Sequence, residues 1–546
     1  MPKGKYSGKD LDQMHSKLLD EQSQLKGTYQ ECYKYYIPES QDIVNGSNAQ
    51  SINDLPFDTI GIQAAIALAS GIFSNTINMG DEFFSYRISD EKIKDSDEAC
   101  DFMTKAGKKA LEILQGSNFA LEAFELIQSW ITLNTGVQYT DYINRKFRCK
   151  NFSIAECCIS EDENGKVDTV FREFKLTAKQ AFGKWGEACS DKVKKDAISP
   201  ENMFNKHEFI HAVMPRMDRD EEKVDAVNMP HASYYYEKEE KHILEESGYN
   251  TFPYHVPRFY RKSTSPYGRG PSFTLLPTIR EVCELRAGIL DGIQLKLQPP
   301  VFLPGQSDSA DVDLSPGAVN HYDATKGKPM FLPVDVDINS AASYRMEIKK
   351  EIEEMFFVDL FRMLEDQKNM TATEVTERVA EKVQAITPVI NRLYNEYFSP
   401  LLERLFDIMI SEGLLGEVPQ IISQSDYSVE YSTKLENKLR ALDTSQIMTA
   451  MDQVGMVYEK AQIPGVSEVI NIDKVVKGII KNNNIDPDYV RSDKETEELR
   501  AAKAEQQQKA AMQEGLKGMI QPMDLSKAPE EGSPMADENM SIPGVS

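Results

Sequence analysis

The stretch PTIREVCELRAGILDGIQLKLQPP, residues 277–300, decides the reading of this chain. Ile279, Val282, Leu285, Ile289, Ile293 and Leu297 recur every three or four positions. That spacing lays one apolar stripe along a helix. Thr278 and Glu281, just after Pro277, have the spacing of a capping box. Pro299-Pro300 removes two backbone donors in a row and stops the helix.

Working outward, residues 1–150 read as mostly helical: Gly8 to Tyr36, Leu55 to Phe73, Ala99 to Leu114 and Phe119 to Leu133. Gly136 ends that pattern. Residues 137–272 change character. Phe152 to Ile159 and Val167 to Phe174 flank Asp162-Glu163-Asn164-Gly165, a hairpin signal. Phe209 to Met214, Ser233 to Tyr236 and His255 to Tyr260 are further strand candidates, with a helix at Ala178 to Ala188. Downstream, 301–338 is extended and rich in Pro-Gly turns, and Ser340 to Leu364 is an amphipathic helix. After a polar break at Glu365 to Met370, Thr371 and Glu374 cap the longest helix, which holds its period to Gly413. Pro388 and Pro400 inside it predict kinks. Shorter helices fill 414–490, one solvated helix runs from about 493 to 519, and 521–546 has the composition of a disordered tail. The fold class is α+β, mainly helical.

Composition narrows the function. The chain has 546 residues, 62 Lys and Arg, and 87 Asp and Glu, a net charge of −25. A protein that grips DNA by neutralising phosphates carries the opposite balance. The longest apolar stretch, Ile60 to Phe73, is interrupted by Gln63 and Ser70. It is shorter than the ~20 residues of a membrane-spanning helix. The first 25 residues carry no apolar segment behind a basic start, so a cytosolic origin is expected. Seven cysteines without a Cys-x-x-Cys pair predict reduced thiols, not a disulfide framework or a structural zinc site.

Three motifs suggest chemistry and fail on context. His207-Glu208-Phe209-Ile210-His211 matches the zincin string, in which a helix brings both imidazoles to one metal. Here the apolar alternation reads as a strand, which spaces residues four apart by ~13 Å. The expected role of these histidines is hydrogen bonding within a sheet. Gly4 to Asp10 hints at a phosphate loop but is one residue short, ends in Asp and follows no strand. Asp335-Val336-Asp337 opens like a calcium loop, but Ser340 takes the glycine position and Met346 the bidentate glutamate position. No catalytic residue, cofactor or metal is expected. The aromatic clusters Tyr35-Tyr36, Tyr234-Tyr235-Tyr236 and Phe356-Phe357 read as core or subunit-contact residues.

Several segments together resemble the head-to-tail connector, or portal, proteins of short-tailed bacteriophages. They are Phe57-Asp58-Thr59 through Ala69-Ser70-Gly71 to Phe83-Phe84; Val170 to Phe174 with Leu176 to Gln180 and Lys184-Trp185-Gly186; and Ile210 to Arg216. Then come Glu246-Ser247-Gly248 with Pro253, Val256, Arg258 and Tyr267 to Pro271; Leu297 to Pro300; and Met370 to Val375 through Pro400-Leu401. In this order they cover 55–412.

The resemblance implies a ring, normally of twelve copies, at one capsid vertex. Double-stranded DNA passes through its channel without sequence specificity. A separate terminase large subunit drives the DNA. Major capsid and scaffolding proteins surround the ring, and tail adaptor proteins dock on it; no membrane is involved. The chain would stay in the host cytoplasm before assembly and in the virion after it. The family fold has a wing, stem helices, an α/β clip and a helical crown. Mapped here, 1–150 is an N-terminal helical wing region and 151–272 a strand-rich wing and clip region. The stem helix is 273–300, and 301–412 holds the loop-rich segment and long kinked wing helices. The crown is 413–490, and 491–546 is the C-terminal helix and tail. Twelve copies at −25 each would carry −300 formal charges, so an acidic lumen would offer phosphates no deep minimum. Lys368, between two long helices, is the first candidate for a channel loop that touches DNA, and Lys326 and Lys328 are the second. Two competing readings are a zinc metallopeptidase on the His207–His211 string and a cytosolic helical scaffold.

Overall fold

A computed structural model describes residues 6–38, 55–80, 82–90, 96–217, 219–220, 223, 225–304, 312–322, 330–331, 337–365, 372–419, 422 and 427–433, with short pieces between 448 and 503. At 97, 304, 322, 330–331, 363–365 and 372–382 it describes the backbone alone. The chain falls into two units, Met1–Ile470 and Asn471–Ser546. In the second, the described residues 474–476, 495–496 and 499–503 are helical.

Helices α1 (Gly8–Ser23), α2 (Lys26–Tyr36) and α3 (Ile60–Thr76) open the first unit. The residues that hinted at a phosphate loop cap a helix instead. Ser7 Oγ accepts from Asp10 N at 3.3 Å, and Asp10 Oδ2 accepts from Ser7 N at 2.9 Å. This pair satisfies two otherwise free donors and sets a carboxylate on the positive helix end. The expected single helix over 8–36 breaks at Gln24-Leu25. Strand β1 (Phe84–Ile88), α4 (Asp97–Gln115) and α5 (Phe119–Thr132) follow. α3 packs on α5 around fully buried Leu68, Leu126, Ile127 and Trp130.

Strands β2 (Val137–Ile143) and β3 (Lys146–Phe152) form a hairpin that the sequence reading did not single out. Asn144 and Arg145 both take positive φ, 54° and 61°, the conformation a two-residue turn needs. β4 (Cys157–Glu161) follows a single 3-10 turn at 154–156, so the expected strand Phe152 to Ile159 is interrupted. β5 (Val167–Thr177), α6 (Ala178–Trp185), α7 (Asp191–Ile198), β6 (Lys206–Pro215), β7 (His231–Glu237) and β8 (Ile243–Tyr249) come next. β4 to β8 make one antiparallel five-stranded sheet in chain order. The β4–β5 hairpin turns where expected: Asp162 Oδ1 accepts from Asn164 N and Lys166 N, and Gly165 has φ +78°.

β9 (Tyr254–His255) joins β2 and β3 in a three-stranded sheet, ordered β3-β2-β9. β10 (Tyr260–Lys262) and β11 (Ser265–Arg269) pair with each other. The expected strand His255 to Tyr260 is thus two short pieces. After α8 (Pro271–Thr274), α9 spans Leu276–Leu297, starting ahead of Pro277. Its N-cap is Leu275 with no side-chain bond, so Thr278 and Glu281 do not form the expected box. β12 (Val301–Pro304), β13 (Val319–Tyr322) and β14 (Met330–Phe331) make a small sheet, ordered β13-β12-β14.

The helix expected from Ser340 to Leu364 is two, α10 (Ile338–Met355) and α11 (Val358–Glu365), because Phe357 takes φ 54°. Asp337 caps α10 by accepting from Asn339 N and Ser340 N, which gives the apparent calcium loop a structural role. α12 (Ala372–Leu393) passes through Pro388 and joins α13 (Ser399–Ser411) by a π-helical turn at Tyr394–Phe398, just before Pro400. Thr371 lies outside the described residues. β15 (Tyr427–Tyr431) pairs antiparallel with β1, where only helices were expected.

One buried arginine ties the strands to the π turn. Arg258 is 1 % exposed. Its Nη1 donates to Glu161 Oε1 at 2.7 Å, and its Nη2 to Glu396 Oε1 at 2.7 Å and Gly165 O at 2.8 Å. Its Nε and backbone N both reach Glu396 Oε2. Two carboxylates and a carbonyl, from the β4–β5 hairpin and the π turn, therefore share one planar donor fork, a geometry lysine lacks. Arg258→Ala leaves Glu161 to Arg261 and Glu396 to Arg392 alone and should cost about 2–3 kcal/mol in urea unfolding. Arg258→Lys should recover less than half of that, and full recovery would show that charge alone suffices.

Candidate functional site

Among the described residues no three His, Cys, Asp or Glu side chains converge as a metal site would require. The zincin string lies on β6, an interior strand of the five-stranded sheet. His211 is buried and both its ring nitrogens are engaged, Nδ1 with Tyr254 Oη at 2.7 Å and Nε2 with Ser233 Oγ at 3.0 Å. Its ring stacks on Tyr235 at 4.0 Å. His207 sits 3.0 Å from the Asp196 carboxylate, and Glu208 is held by Lys175 and Lys238. A metal ligand needs a free nitrogen lone pair, and His211 has none to offer. The metallopeptidase reading falls on this geometry. All seven cysteines are free thiols, and six of them are buried.

The feature that most resembles a working part is the pair α9 and α10, which pack together and carry the small sheet between them in sequence. Their burial is graded. On α9, Leu276, Ile279, Val282 and Cys283 are buried, whereas Leu290 and Leu297 are 47 % and 76 % exposed. On α10, Ile348 and Ile352 are buried, whereas Tyr344 and Met346 are 48 % and 57 % exposed. α9 is thus rooted at its first half and open at its last, whereas α10 buries Ile348 and Ile352 between the exposed Met346 and Met355. The apolar stripe read from the sequence is real, but only its first half finds partners within one chain.

Asp58 fixes the roots. It precedes α3 and is 2 % exposed. Its Oδ2 lies 2.7 Å from both Nε and Nη2 of Arg345 on α10 and 3.5 Å from Nη1 of Arg286 on α9. Its Oδ1 accepts from Ile60 N at 3.1 Å, and its carbonyl accepts from Cys283 Sγ at 3.7 Å. Tyr344 Oη donates to Glu281 Oε1 at 2.6 Å and joins the helices to each other. Arg280 reaches back to Glu31 on α2. A buried carboxylate without its cations is strongly disfavoured, so both helices are held to one point of the body.

Asp58 belongs to the quoted Phe57-Asp58-Thr59 segment, but nothing in the sequence spacing marks Arg286 or Arg345 as its partners. Lys368, Lys326 and Lys328 all lie outside the described residues. No helix among the described residues is long and apolar enough to cross a membrane.

Two outcomes test this geometry. Asp58→Ala removes the shared acceptor and should lower stability by about 2 kcal/mol. Limited trypsin should then cut first at Arg286 or Lys296, and an unchanged digestion pattern would deny the clamp. The second concerns acid. Burial first, then Lys184 and Arg172, holds His211 well below its ordinary value. Burial first, then Arg404, brings His255 down to about 3. Below about pH 6.5 the unfolded chain protonates both rings while the folded chain keeps them neutral, so stability falls with pH. Between pH 6 and 5 each ring should remove about 1.4 kcal/mol of unfolding free energy per pH unit. His211→Gln should flatten that slope by one proton; an unchanged slope would show that His211 titrates alike in both states.

Comparison with known proteins agrees with this architecture. The family model for the bacteriophage head to tail connecting protein matches residues 8–490. A probable portal protein of Bordetella phage BPP-1 is 30 % identical over 370 residues, 66 % of each chain and so just under two thirds. The portal protein of Salmonella phage epsilon15 is 24 % identical over 466 residues, 83 % of each chain. With a matched family over most of its length, the chain belongs to the bacteriophage head to tail connecting proteins, and its function is that of a head-tail connector.

Proposed function

We propose that copies of this chain close into a ring, most simply of twelve, at one vertex of the capsid, and that double-stranded DNA enters and leaves through the central hole. The observation that carries this reading is the pair α9 and α10. Leu290 and Leu297 stand open on α9 beyond Arg286, and Tyr344 and Met346 stand exposed on either side of Arg345 on α10; Asp58 holds both arginines. Apolar side chains concentrated on rigid elements mark an interaction surface. The same patch meeting a different patch on the next copy gives a heterologous contact, and such contacts close into rings when the rotation allows. On this reading α9 and α10 are the two stem helices.

The clip is better placed on β12, β13 and β14, which lie between the stem helices in the chain, than within 151–272. The latter segment supplies the five-stranded sheet, whose Val170 and Val213 join the main core and whose Ile210 and Tyr236 lie under α1. It belongs with the wing, as do 1–150 and the α12–α13 arm. The crown at 413–490 and the helix near 493–519 fall mostly outside the described residues and stay with the family pattern.

α9 and α10 together hold six Lys and Arg against seven Asp and Glu. The acid excess of −25 therefore sits elsewhere, and the stem itself is near neutral. A near-neutral wall serves passage equally well, since it neither traps nor repels phosphates strongly. Lys368, Lys326 and Lys328 remain the candidates for local DNA contact. The partners follow from the position: terminase large subunit during filling, capsid and scaffolding proteins around the ring, tail adaptors after it. The ring supplies no chemistry of its own, and the motor sits in another protein.

The test is direct. Negative-stain images and native mass of the purified full chain should show a closed ring with a central hole. Leu290→Asp with Leu297→Asp should abolish the ring while leaving the monomer's urea midpoint unchanged. A chain that stays monomeric under all assembly conditions, or a double variant that still closes, would remove the proposal. Reversing Lys368 to Glu should weaken DNA retention in filled heads, and unchanged retention would discard that residue.

A further inference from the structure

The geometry points to a second nucleic-acid surface, on the outward face of β3, that binds the phosphate backbone of duplex DNA without reading sequence. It rests on residues unconnected with α9 and α10 and needs neither a ring nor a channel.

Arg145, Lys146, Arg148 and Lys150 fall within six residues, and all four are exposed. Between them Phe147 and Cys149 turn inward and are buried, so Lys146, Arg148 and Lys150 share one face. Arg145 takes its positive φ at the tip of the hairpin. In a chain of net charge −25 such a run of cations is the exception. None of the four forms an ion pair among the described residues. Successive side chains on that face stand about 6.8 Å apart, twice the about 3.4 Å axial rise between phosphates of one DNA strand. Three cations in line therefore span the length of about four phosphates.

The face continues inward to a second group of cations. Lys150 Nζ lies 5.4 Å over the Phe152 ring, and the Arg172 guanidinium lies 3.5 Å over the same ring. Lys184 follows, 3.8 Å over Tyr235. Arg172 Nε is buried and has no hydrogen-bond partner, and its nearest carboxylate, Glu156, is 3.9 Å away. An arginine left this underused has donor capacity for an anion. The crowding is felt along the row: after burial, the charge of Arg172 is the next cause that lowers the basicity of Lys150.

The nearby acids are already committed. Asp141, opposite Arg148 on β2, accepts from Tyr139 Oη at 3.0 Å and from Tyr142 N at 2.8 Å. Glu122 accepts from Asn151 N at 2.7 Å and from Asn118 Nδ2 at 3.2 Å.

The choice of duplex over an acidic peptide rests on the strand edge. β3 is an edge strand, and edges invite added strands. Here the edge is occupied: Asn118 bonds both N and O of Cys149, and Glu122 holds Asn151 N. A peptide finds no backbone ladder to extend. What remains is a row of point charges, which suits a regular polyanion.

The experiment uses the purified full chain and two probes, a linear 40-bp duplex and a covalently closed circular duplex. A closed circle cannot thread a preformed ring, so it reports the outer surface alone. Anisotropy titrations at several salt concentrations should show the circle binding with a log–log salt slope of about −3 to −4, as expected for about four neutralised phosphates. Lys146→Gln with Arg148→Gln and Lys150→Gln should weaken circle binding at least tenfold at 50 mM salt and flatten the slope by about 3. Should the triple variant lose its unfolding midpoint, Arg148→Gln alone decides, with a slope change of about 1. The proposal is overturned if the circle does not bind the parent chain, if the variants keep parental affinity and slope, or if polyglutamate binds the parent more tightly than duplex does.

Discussion

A carboxylate at 2 % exposure is tolerable only while cations stay beside it. Asp58 therefore does more than join two helices. It couples the position of α9 to that of α10, because Arg286 and Arg345 converge on the same oxygen. If either helix slid by one turn, about 5.4 Å, its guanidinium would leave the carboxylate partly bare. The restoring force is thus electrostatic and short-ranged, and it acts at the roots, where the apolar stripe is also buried. The open half of α9 and the exposed side chains beside Arg345 on α10 are then presented rigidly. That is the condition for a repeated contact between identical subunits, since a loose element would spend contact energy on being ordered.

A second anchor ties the strands to the π turn. Arg258 binds Glu161 beside the β4–β5 turn and Glu396 on the π turn between α12 and α13. The π turn itself is held at several points: Tyr394 stacks on Tyr431 at 4.2 Å, and Tyr397 donates to Gln138 at 3.0 Å. A π turn widens a helix by one residue and is rare without tertiary support. Here the support comes at once from β15, from β2 and from Arg258 between β9 and β10. The irregularity expected at Pro388 and Pro400 falls between them, because the side-chain partners lie there and not at the prolines.

Helix existence was legible wherever an apolar period ran for three turns or more, as in α3, α5, α9 and α13. Boundaries were less so. The Thr278–Glu281 spacing is that of a cap, but Leu275 starts the helix, since Pro277 tolerates the first turn and adds no demand for a cap. The β2–β3 hairpin escaped because its turn, Asn144-Arg145, carries no glycine and the outward residues of β3 are charged, although Val137, Tyr139, Thr140, Tyr142 and Ile143 give β2 the composition of a strand. β15 escaped because its partner β1 lies more than 300 residues away in the chain, and no local pattern encodes that pairing. The same holds for Asp58 and Arg258: each lay in a quoted segment, but their partners are matters of tertiary approach. The candidate lysines were chosen on loop position alone, and that signal carries no geometry.

The His207–His211 string shows why spacing must be read together with element type. Four residues bring side chains together on a helix and separate them on a strand. Once β6 is an interior strand, its alternation sends Phe209, His211 and Val213 to one face and Glu208, Ile210 and Ala212 to the other. His211 is then trapped between Tyr235 and Tyr254, where burial forces a neutral ring and the ring needs two partners. The motif is satisfied as structure before it can act as chemistry. The contrast with β3 is instructive, for that strand uses the same alternation to put its polar row outside. There Lys146, Arg148 and Lys150 are exposed and form no ion pair among the described residues, so keeping them together costs repulsion. A strand that accepts such repulsion on its open face, in a chain otherwise rich in acid, is shaped by a ligand that removes it.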